Sequence, residues 1–420
     1  MFDRQPIGDD FTWMHSGQLG ATKINTSNGA PNGQLLSILD ACLVDGFNVQ
    51  TVSSVTINGS DIVLTFGLPH GYALKQKITV SGSDDPLLNG SYRVISLTTD
   101  TVTLKISGVT NTAGIVKTKV SPLGFESVIG NSKPLIRGYR SKDPTSTKTV
   151  LHLDMSYSAG AGYAATNPAK RAMVTACADV DASGKPVGDY FASVNNRAST
   201  SNGSLFWYES RYQRKDVGVS SDSTPLSWVI IGNGKYFYLF NSWYPYVDST
   251  DMRDFYAFGD MASFSDSDIQ NCILKSAENY NDDTTIYYTK NGAAISNYSS
   301  GVLKTGYFIG THSGVSSPVP TTISYGNISQ DVIYSGYSSV GNYSKINAVT
   351  NSMLLCPAYL YTAAGARARM PRLMILPFTI DARAVDLSIM DDMLFITVSA
   401  SSGTGTADKN RGAFAFDMRD

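Results

Sequence analysis

The stretch Trp228–Phe264, WVIIGNGKYFYLFNSWYPYVDSTDMRDFYAFGDMASF, decides how this chain is read. Twelve of its 37 residues are aromatic, against 11% for the whole chain, so core-forming surface is concentrated here. WVII and KYFYLF are rich in β-branched and aromatic residues and flank Asn233-Gly234. Asn-Gly tolerates the positive φ that a type I′ turn needs at both central positions, so the spacing predicts a two-residue β-hairpin. Side chains alternate faces along a strand, which puts Tyr236, Tyr238 and Phe240 on one side and Phe237 and Leu239 on the other. A strand that is apolar on both faces belongs in the middle of its sheet. FYAFGDMASF, after a polar loop, reads as another strand. These aromatics are expected to form core. The alternative is a sugar-stacking platform, because Tyr and Trp join an apolar face to a polar handle.

The rest of the composition agrees with a β protein. Charged residues make up 16%, and only three acids are Glu (Glu126, Glu209, Glu278). Gly, Ser, Thr, Asn and Asp are abundant; they favour turns and strand edges and do little for helices. A net charge of −2 supplies no electrostatic footprint for nucleic acid. Cys42, Cys177, Cys272 and Cys356 are widely spaced and match neither a zinc site nor a disulfide framework, which suits a reducing cytoplasm. MFDRQPIGDD lacks the basic and apolar regions of a signal peptide, and the longest apolar run, LMILPFTI from Leu373, is too short to span a bilayer.

Along the chain, residues 1–31 are polar and irregular, with Phe11, Trp13 and Met14 as isolated anchors. They read as an extended arm that docks on its own domain or on a neighbouring subunit. Leu35, Leu36, Ile38, Leu39, Cys42 and Leu43 recur at helical spacing between an N-cap at Asn32 and a stop at Gly46. Residues 49–120 hold six short runs of strand character: VQTVSSVTI, DIVLTF, KITVS, SYRVISL, TVTLKIS and IVKTKV. Turn residues separate them, and together they predict a small β-barrel or sandwich inserted into the main domain. The expected fold is mainly β: an antiparallel sandwich or barrel core, one N-terminal helix and the inserted barrel-like module. Its domains are the arm (1–31), the main β domain (32–48 and 121–420) and the insert (49–120).

Chemistry is harder to find. H-E-x-x-H, Walker A, G-x-G-x-x-G and G-x-S-x-G do not occur among the 420 residues. Of the histidines (His15, His70, His152, His312), His70 sits in Pro69-His70-Gly71, a turn rather than a ligand site. The acidic groups Asp248/Asp251/Asp254, Asp266/Asp268 and Asp282/Asp283 read as solvated loops. The alternatives are a glycan-cleaving acid pair or a Ca²⁺-binding loop, although EF-hand spacing is absent. Arg367, Arg369 and Arg372 form a basic cluster around Pro371, expected in an exposed loop facing solvent or acids on a neighbouring subunit. No catalytic residue, cofactor or metal site is expected.

Two sets of motifs carry a resemblance. Pro69-His70-Gly71, Val80-Ser81-Gly82, Leu88-Asn89-Gly90-Ser91-Tyr92-Arg93-Val94 and Ser107-Gly108 resemble a small β module inserted in many virion proteins of tailed bacteriophages. GQLLSILDACLVDGF, WVIIGNGKYFYLF, FYAFGDMASF, MLLCPAYLY, RARMPRLMILP and Ala415-Phe416-Asp417 are similar to a family of phage structural proteins with no catalytic residues. The resemblance, to a family whose position in the particle is mostly unassigned, implies a virion component. The expected role is a symmetric homo-oligomer that binds other phage virion proteins in the tail, neck or baseplate, made and assembled in the host cytoplasm. The residues themselves, as isolated anchors, loop aromatics and the basic cluster, give the expected interface: Phe11, Trp13, Met14, Trp243, Tyr244, Tyr246, Arg367, Arg369 and Arg372. Two other readings compete with it: a protein binding a receptor or host surface glycan, and a polysaccharide-degrading virion enzyme.

Overall fold

The computed structural model describes residues 11–25, 31–130, 133–156, 170–190, 205–210, 225–242, 254–260, 262–263, 272–275, 277–278, 308–310, 346–347, 352–353, 356–362, 365–375, 387–390, 392–399 and 411–419. Strand β1 (Thr12–His15) precedes helix α1 (Gln34–Leu39), which runs into a π-helical segment over Asp40–Asp45. Strands β2 (Phe47–Asn58), β3 (Asp61–Phe66), β4 (Lys77–Ser83), β5 (Gly90–Leu97), β6 (Thr101–Lys105) and β7 (Gly114–Val120) close into a barrel, in the order β2-β3-β6-β5-β4-β7. Next come β8 (Phe125–Ser127), β9 (Ile136–Ser141), β10 (Val150–Asp154), β11 (Lys170–Val180), β12 (Pro186–Tyr190) and β13 (Leu205–Ser210), which share one sheet.

Strands β14 (Trp228–Gly232), β15 (Tyr236–Asn241), β16 (Asp254–Asp260) and β18 (Cys272–Lys275) take up β1 to make a five-stranded sheet, β1-β14-β15-β16-β18; the short β17 (Ala262–Ser263) pairs elsewhere. β19 (Ala277–Glu278) extends the earlier sheet at β13. A third sheet holds β20 (Phe308–Gly310), and β21 (Ile346–Asn347) pairs separately with β22 (Ser352–Met353). The third sheet continues with β23 (Cys356–Thr362), β24 (Gly365–Ile375), β25 (Leu387–Met390), β26 (Met393–Ser399) and β27 (Arg411–Asp417), in the order β20-β23-β24-β27-β26-β25. The fold is mainly β and antiparallel, with one short α-helix among the described residues, as the sequence predicts.

Strand β15 stands third of five, and all six of its residues are buried. Tyr236, Tyr238 and Phe240 share a cluster with Leu373 of β24, Leu394 and Ile396 of β26, and Phe414 and Phe416 of β27. Phe237 and Leu239 point the other way, into a cluster with Phe125, Tyr139, Leu151, Trp207 and the helix residues Leu35, Leu36, Ile38 and Leu39. The aromatic contacts have edge and offset geometry: Phe237 meets Trp207 edge-on at 5.9 Å, Phe240 stacks on Phe255 at 4.9 Å, and Tyr238 lies 5.4 Å from Phe416. The five-stranded sheet is therefore the middle layer between two others.

The hairpin turn departs from expectation. Its central residues are Gly234 and Lys235, not Asn233 and Gly234, because Asn233 pairs with Tyr236 (Asn233 N to Tyr236 O, 2.9 Å). Neither central residue has positive φ. The Asn233 carboxamide closes the turn by accepting from Lys235 N (2.9 Å) and Tyr236 N (3.2 Å), a side-chain mimic of a backbone turn. Glycine is demanded instead at Gly232, just before the turn, and at Gly259 of β16, the register partner of Tyr236. A Cβ on Gly232 would overlap Tyr236 O and lie 2.6 Å from Phe237 Cα; one on Gly259 (φ 118°) would lie 2.5 Å from Tyr236 Cα.

The helix also differs from expectation. Its N-cap is Gly33 (φ 94°) rather than Asn32, and no side chain caps it locally. Gly46 stops it, with Gly46 N donating to Ala41 O. The π-helical widening brings Cys42 O and Leu43 O to the N–H groups of Leu123 (2.9 Å) and Gly124 (3.2 Å), which takes up carbonyls the helix end would leave bare.

In the barrel, strict alternation sends Ile62, Leu64, Phe66, Ile78, Val80, Val102 and Leu104 inward. Phe47 and Val120 are register partners, so the chain enters and leaves the barrel side by side. His70, at the turn read from Pro69-His70-Gly71, is buried: Nδ1 accepts from Tyr72 N (2.9 Å), and Nε2 lies 2.9 Å from Thr98 O. It braces the loop after β3.

Of the arm read at 1–31, the described residues 11–25 dock on the chain's own domain, the first of the two expected modes. Thr12–His15 pairs in register with Val229–Gly232, and Phe11, Trp13 and Met14 are buried in the chain's own core. The far edge of β1 is closed by side chains. Gln76 Nε2 donates to Trp13 O (3.0 Å), Gln18 Oε1 accepts from His15 N (3.0 Å), and Thr12 Oγ1 accepts from Lys77 N (2.8 Å). These bonds satisfy an edge that would otherwise invite pairing with another chain. Among the described residues no helix is long and apolar enough to cross a membrane.

Two tests follow from this geometry. Gly232→Ala and Gly259→Ala are each expected to cost about 1–3 kcal/mol through forced backbone shifts, whereas Gly234→Ala, whose new Cβ would meet nothing closer than 3.4 Å, stays near wild type in thermal unfolding. Excised residues 47–120, whose ends are already paired, should fold alone and give dispersed amide resonances. A random-coil spectrum would show that the barrel depends on the sheets.

Candidate interaction surface

The residues expected at an interface divide into three groups. Phe11, Trp13 and Met14 are part of the molecule's own core, because β1 completes the middle sheet and its side chains fill both faces. Trp243, Tyr244 and Tyr246 lie outside the described residues. Arg367, Arg369 and Arg372 fall within strand β24, not an exposed loop. Arg369 is half-buried and Arg372 is 2% exposed. The loop reading failed because Pro371 suggested a break, whereas the strand absorbs the proline at a shift in its register with β23. Among the acidic groups, Asp254 begins β16, and Asp248, Asp251, Asp266, Asp268, Asp282 and Asp283 lie outside the described residues.

The polar groups that matter most to the interior were not legible as motifs. Glu209, from β13, is fully buried and caps helix α1 from a distance: Oε2 accepts from Leu35 N (2.8 Å) and Oε1 from Gln34 Nε2 (3.4 Å). A carboxylate at a helix N-terminus takes up bare N–H groups and complements the helix dipole. Lys170, buried on the neighbouring β11, donates to Pro31 O (3.2 Å) and lies within electrostatic reach of Glu209. At the other side of the helix, Asp40 accepts from Tyr139 Oη (2.7 Å) and Arg137 Nε (2.9 Å). Cys42, Cys177 and Cys272 are buried thiols, with Cys177 pushed up to about 12 by burial, so the thiolate form is suppressed. These groups hold strands and helix together.

The surface has a different character. Seven large apolar side chains are exposed among the described residues, and six belong to the barrel or its connections: Val49, Leu68, Leu74, Leu87, Ile95 and Ile115. The seventh, Leu19, packs over Gly71 in the loop after β3. Leu68 is 75% exposed, Ile115 73% and Val49 68%. In β7 the outward row is Ile115, Lys117 and Lys119, while Val116, Thr118 and Val120 point inward. The barrel core is filled without the exposed apolar groups, so they contribute nothing to its interior.

No family model and no curated protein matches the chain. Among solved structures, phage phi92 endosialidase is similar over 89% of this chain and 52% of that one, at 9% identity and a TM-score of 0.15. The chain thus spans about half the length of that protein. A likeness so low leaves fold and function to be argued from the residues themselves.

The buried cap gives a pH signature. Burial holds the Glu209 carboxyl above its ordinary range, against the opposing pull of the Leu35 hydrogen bond and the Lys170 charge. A raised carboxyl stabilises the fold fully below its unfolded value, and that contribution is lost as pH rises through the raised one. Glu209→Gln keeps an acceptor for Leu35 N and should flatten this part of the profile in melting curves recorded across pH. Glu209→Ala leaves the buried helix N–H groups bare and should cost about 1–3 kcal/mol throughout. His15, pushed down to about 4 by burial, has the opposite sign: its contribution is present above its ordinary range and is lost as pH falls through about 4.

Proposed function

We propose that this chain is a non-enzymatic structural component of a tailed-phage virion, placed in the tail, neck or baseplate. It works by burying surface against other virion proteins in a symmetric homo-oligomer. The observation that carries the assembly role is that, among the described residues, the exposed large apolar side chains lie mostly on one module. A small barrel with a complete core presents Leu68, Ile115 and Val49 to solvent, and burying such side chains contributes roughly 1.5–3 kcal/mol each. The phage setting rests on the motif resemblance of residues 49–120 and of the main domain. The structural role is also supported by the use of Glu209, Asp40, His70 and Gln76 as internal ties.

The test pairs fold with assembly. Val49→Ser, Leu68→Ser and Ile115→Ser should each leave thermal stability within about 0.5 kcal/mol of wild type, as exposed substitutions do. Combined, they should sharply lower incorporation into particles. Normal incorporation of the triple variant would remove the barrel from the interface. Gold labelling of intact particles should place the protein in the tail, neck or baseplate, and its absence from particles would overturn the reading. So would cleavage of a surface polysaccharide by the purified chain.

A further inference from the structure

Arg372 occupies an unusual backbone position. Its φ is 57°, in the left-handed region that a long side chain rarely adopts. It lies where the pairing of β23 and β24 shifts register between Pro357↔Met374 and Tyr359↔Arg369. The preceding carbonyl, Pro371 O, is held by Tyr238 Oη from the middle sheet at 3.0 Å. A strained conformation persists only where the surroundings determine it, and here they turn a guanidinium into the interior. Arg372 is 2% exposed.

From that position the side chain meets two segments far apart in sequence. Nη1 donates to Asp417 O (2.7 Å) and Arg419 O (2.9 Å), two carbonyls at and just beyond the end of β27. The guanidinium carbon also stands 4.8 Å from the ring centroid of Phe11, immediately before β1, within cation–π range. The carbonyl seat is shaped by Asp417, whose carboxylate accepts from Arg419 N (3.1 Å), Nε (2.8 Å) and Nη2 (2.6 Å). Burial makes each of these contacts costly to lose without replacement.

We propose that Arg372 is a clamp coupling the first described strand to the last, so that Thr12–His15 and residues 414–419 open and close as one unit. Coupling of this kind is reciprocal: whatever orders one segment favours order in the other. A neighbouring protein that covers either segment would therefore be felt at both, which gives the molecule a conformational response beyond its proposed structural role.

Hydrogen exchange on the full chain tests the clamp. Phe11→Leu removes the ring face but leaves both carbonyl bonds intact. Arg372→Lys keeps the charge but loses the guanidinium that reaches both carbonyls. Each variant should raise exchange about tenfold in both 12–15 and 414–418, within the usual range of coupling between sites, while β15 amides stay protected. Ile230→Val, opposite Met14 in register and in the cluster that holds none of residues 414–418, loosens β1 by another route. With the clamp intact it should raise exchange in 414–418 as well, and in the Phe11→Leu background it should act on 12–15 alone. The proposal is overturned if Phe11→Leu acts only on 12–15. It is equally overturned if Ile230→Val acts only on 12–15 in the otherwise wild-type chain, or still raises exchange in 414–418 once Phe11→Leu has opened the clamp. Should Arg372→Lys fail to fold, Phe11→Leu and Ile230→Val, singly and together, decide.

Discussion

Burial of strand β15 on both faces is the constraint on which the other layers depend. A strand that alternates Tyr or Phe with Phe or Leu cannot give either face to water without exposing several large side chains. The chain meets that demand by covering one face with β24, β26 and β27 and the other with the sheet built around β10, β11 and β13 and with helix α1. The middle sheet also fixes β1, because Val229–Gly232 offers an open ladder and only a strand with apolar groups on both faces suits it. Thr12–His15 qualifies, with Trp13 and Met14 in opposite clusters.

The single helix shows how far polar groups in this molecule act from a distance. Its sequence supplies the apolar stripe but no local cap, and the cap arrives from Glu209 in another element. At the far end its carbonyls are taken by Leu123 and Gly124, beyond the barrel. The helix is therefore tied to both the chain segment that leaves the barrel and the sheet that follows it. Short helices are marginal alone, so its order depends on these contacts.

The barrel stands apart in its energetics. Its interior is mainly apolar, its turns carry their own chemistry, and its outer surface carries most of the large apolar groups exposed among the described residues. Polar ties attach it to β1: Gln76 with Gln18 (2.8 Å) and Trp13, and Thr12 with Lys77. Such a unit can present a surface to partners while the three-layered body keeps its own core closed.

Periodicity and turn chemistry made much of this visible in the sequence. The alternation of Tyr236–Phe240, the six barrel strands, the apolar face of the helix and the Gly46 stop are all local properties, and a local signal is sufficient to read them. What only the tertiary structure decided depends on contacts between residues far apart in the chain. Asn233-Gly234 signalled a turn but not its register, because Gly232 and Gly259 are constrained by close backbone approach that no spacing reveals. Phe11, Trp13 and Met14 looked like an arm because four residues of strand character are too few to declare their pairing partner, 214 or more positions away. Arg372 looked exposed because charge predicts solvent. A buried guanidinium becomes tolerable only when a remote ring and two remote carbonyls converge on it, and convergence is a property of the fold.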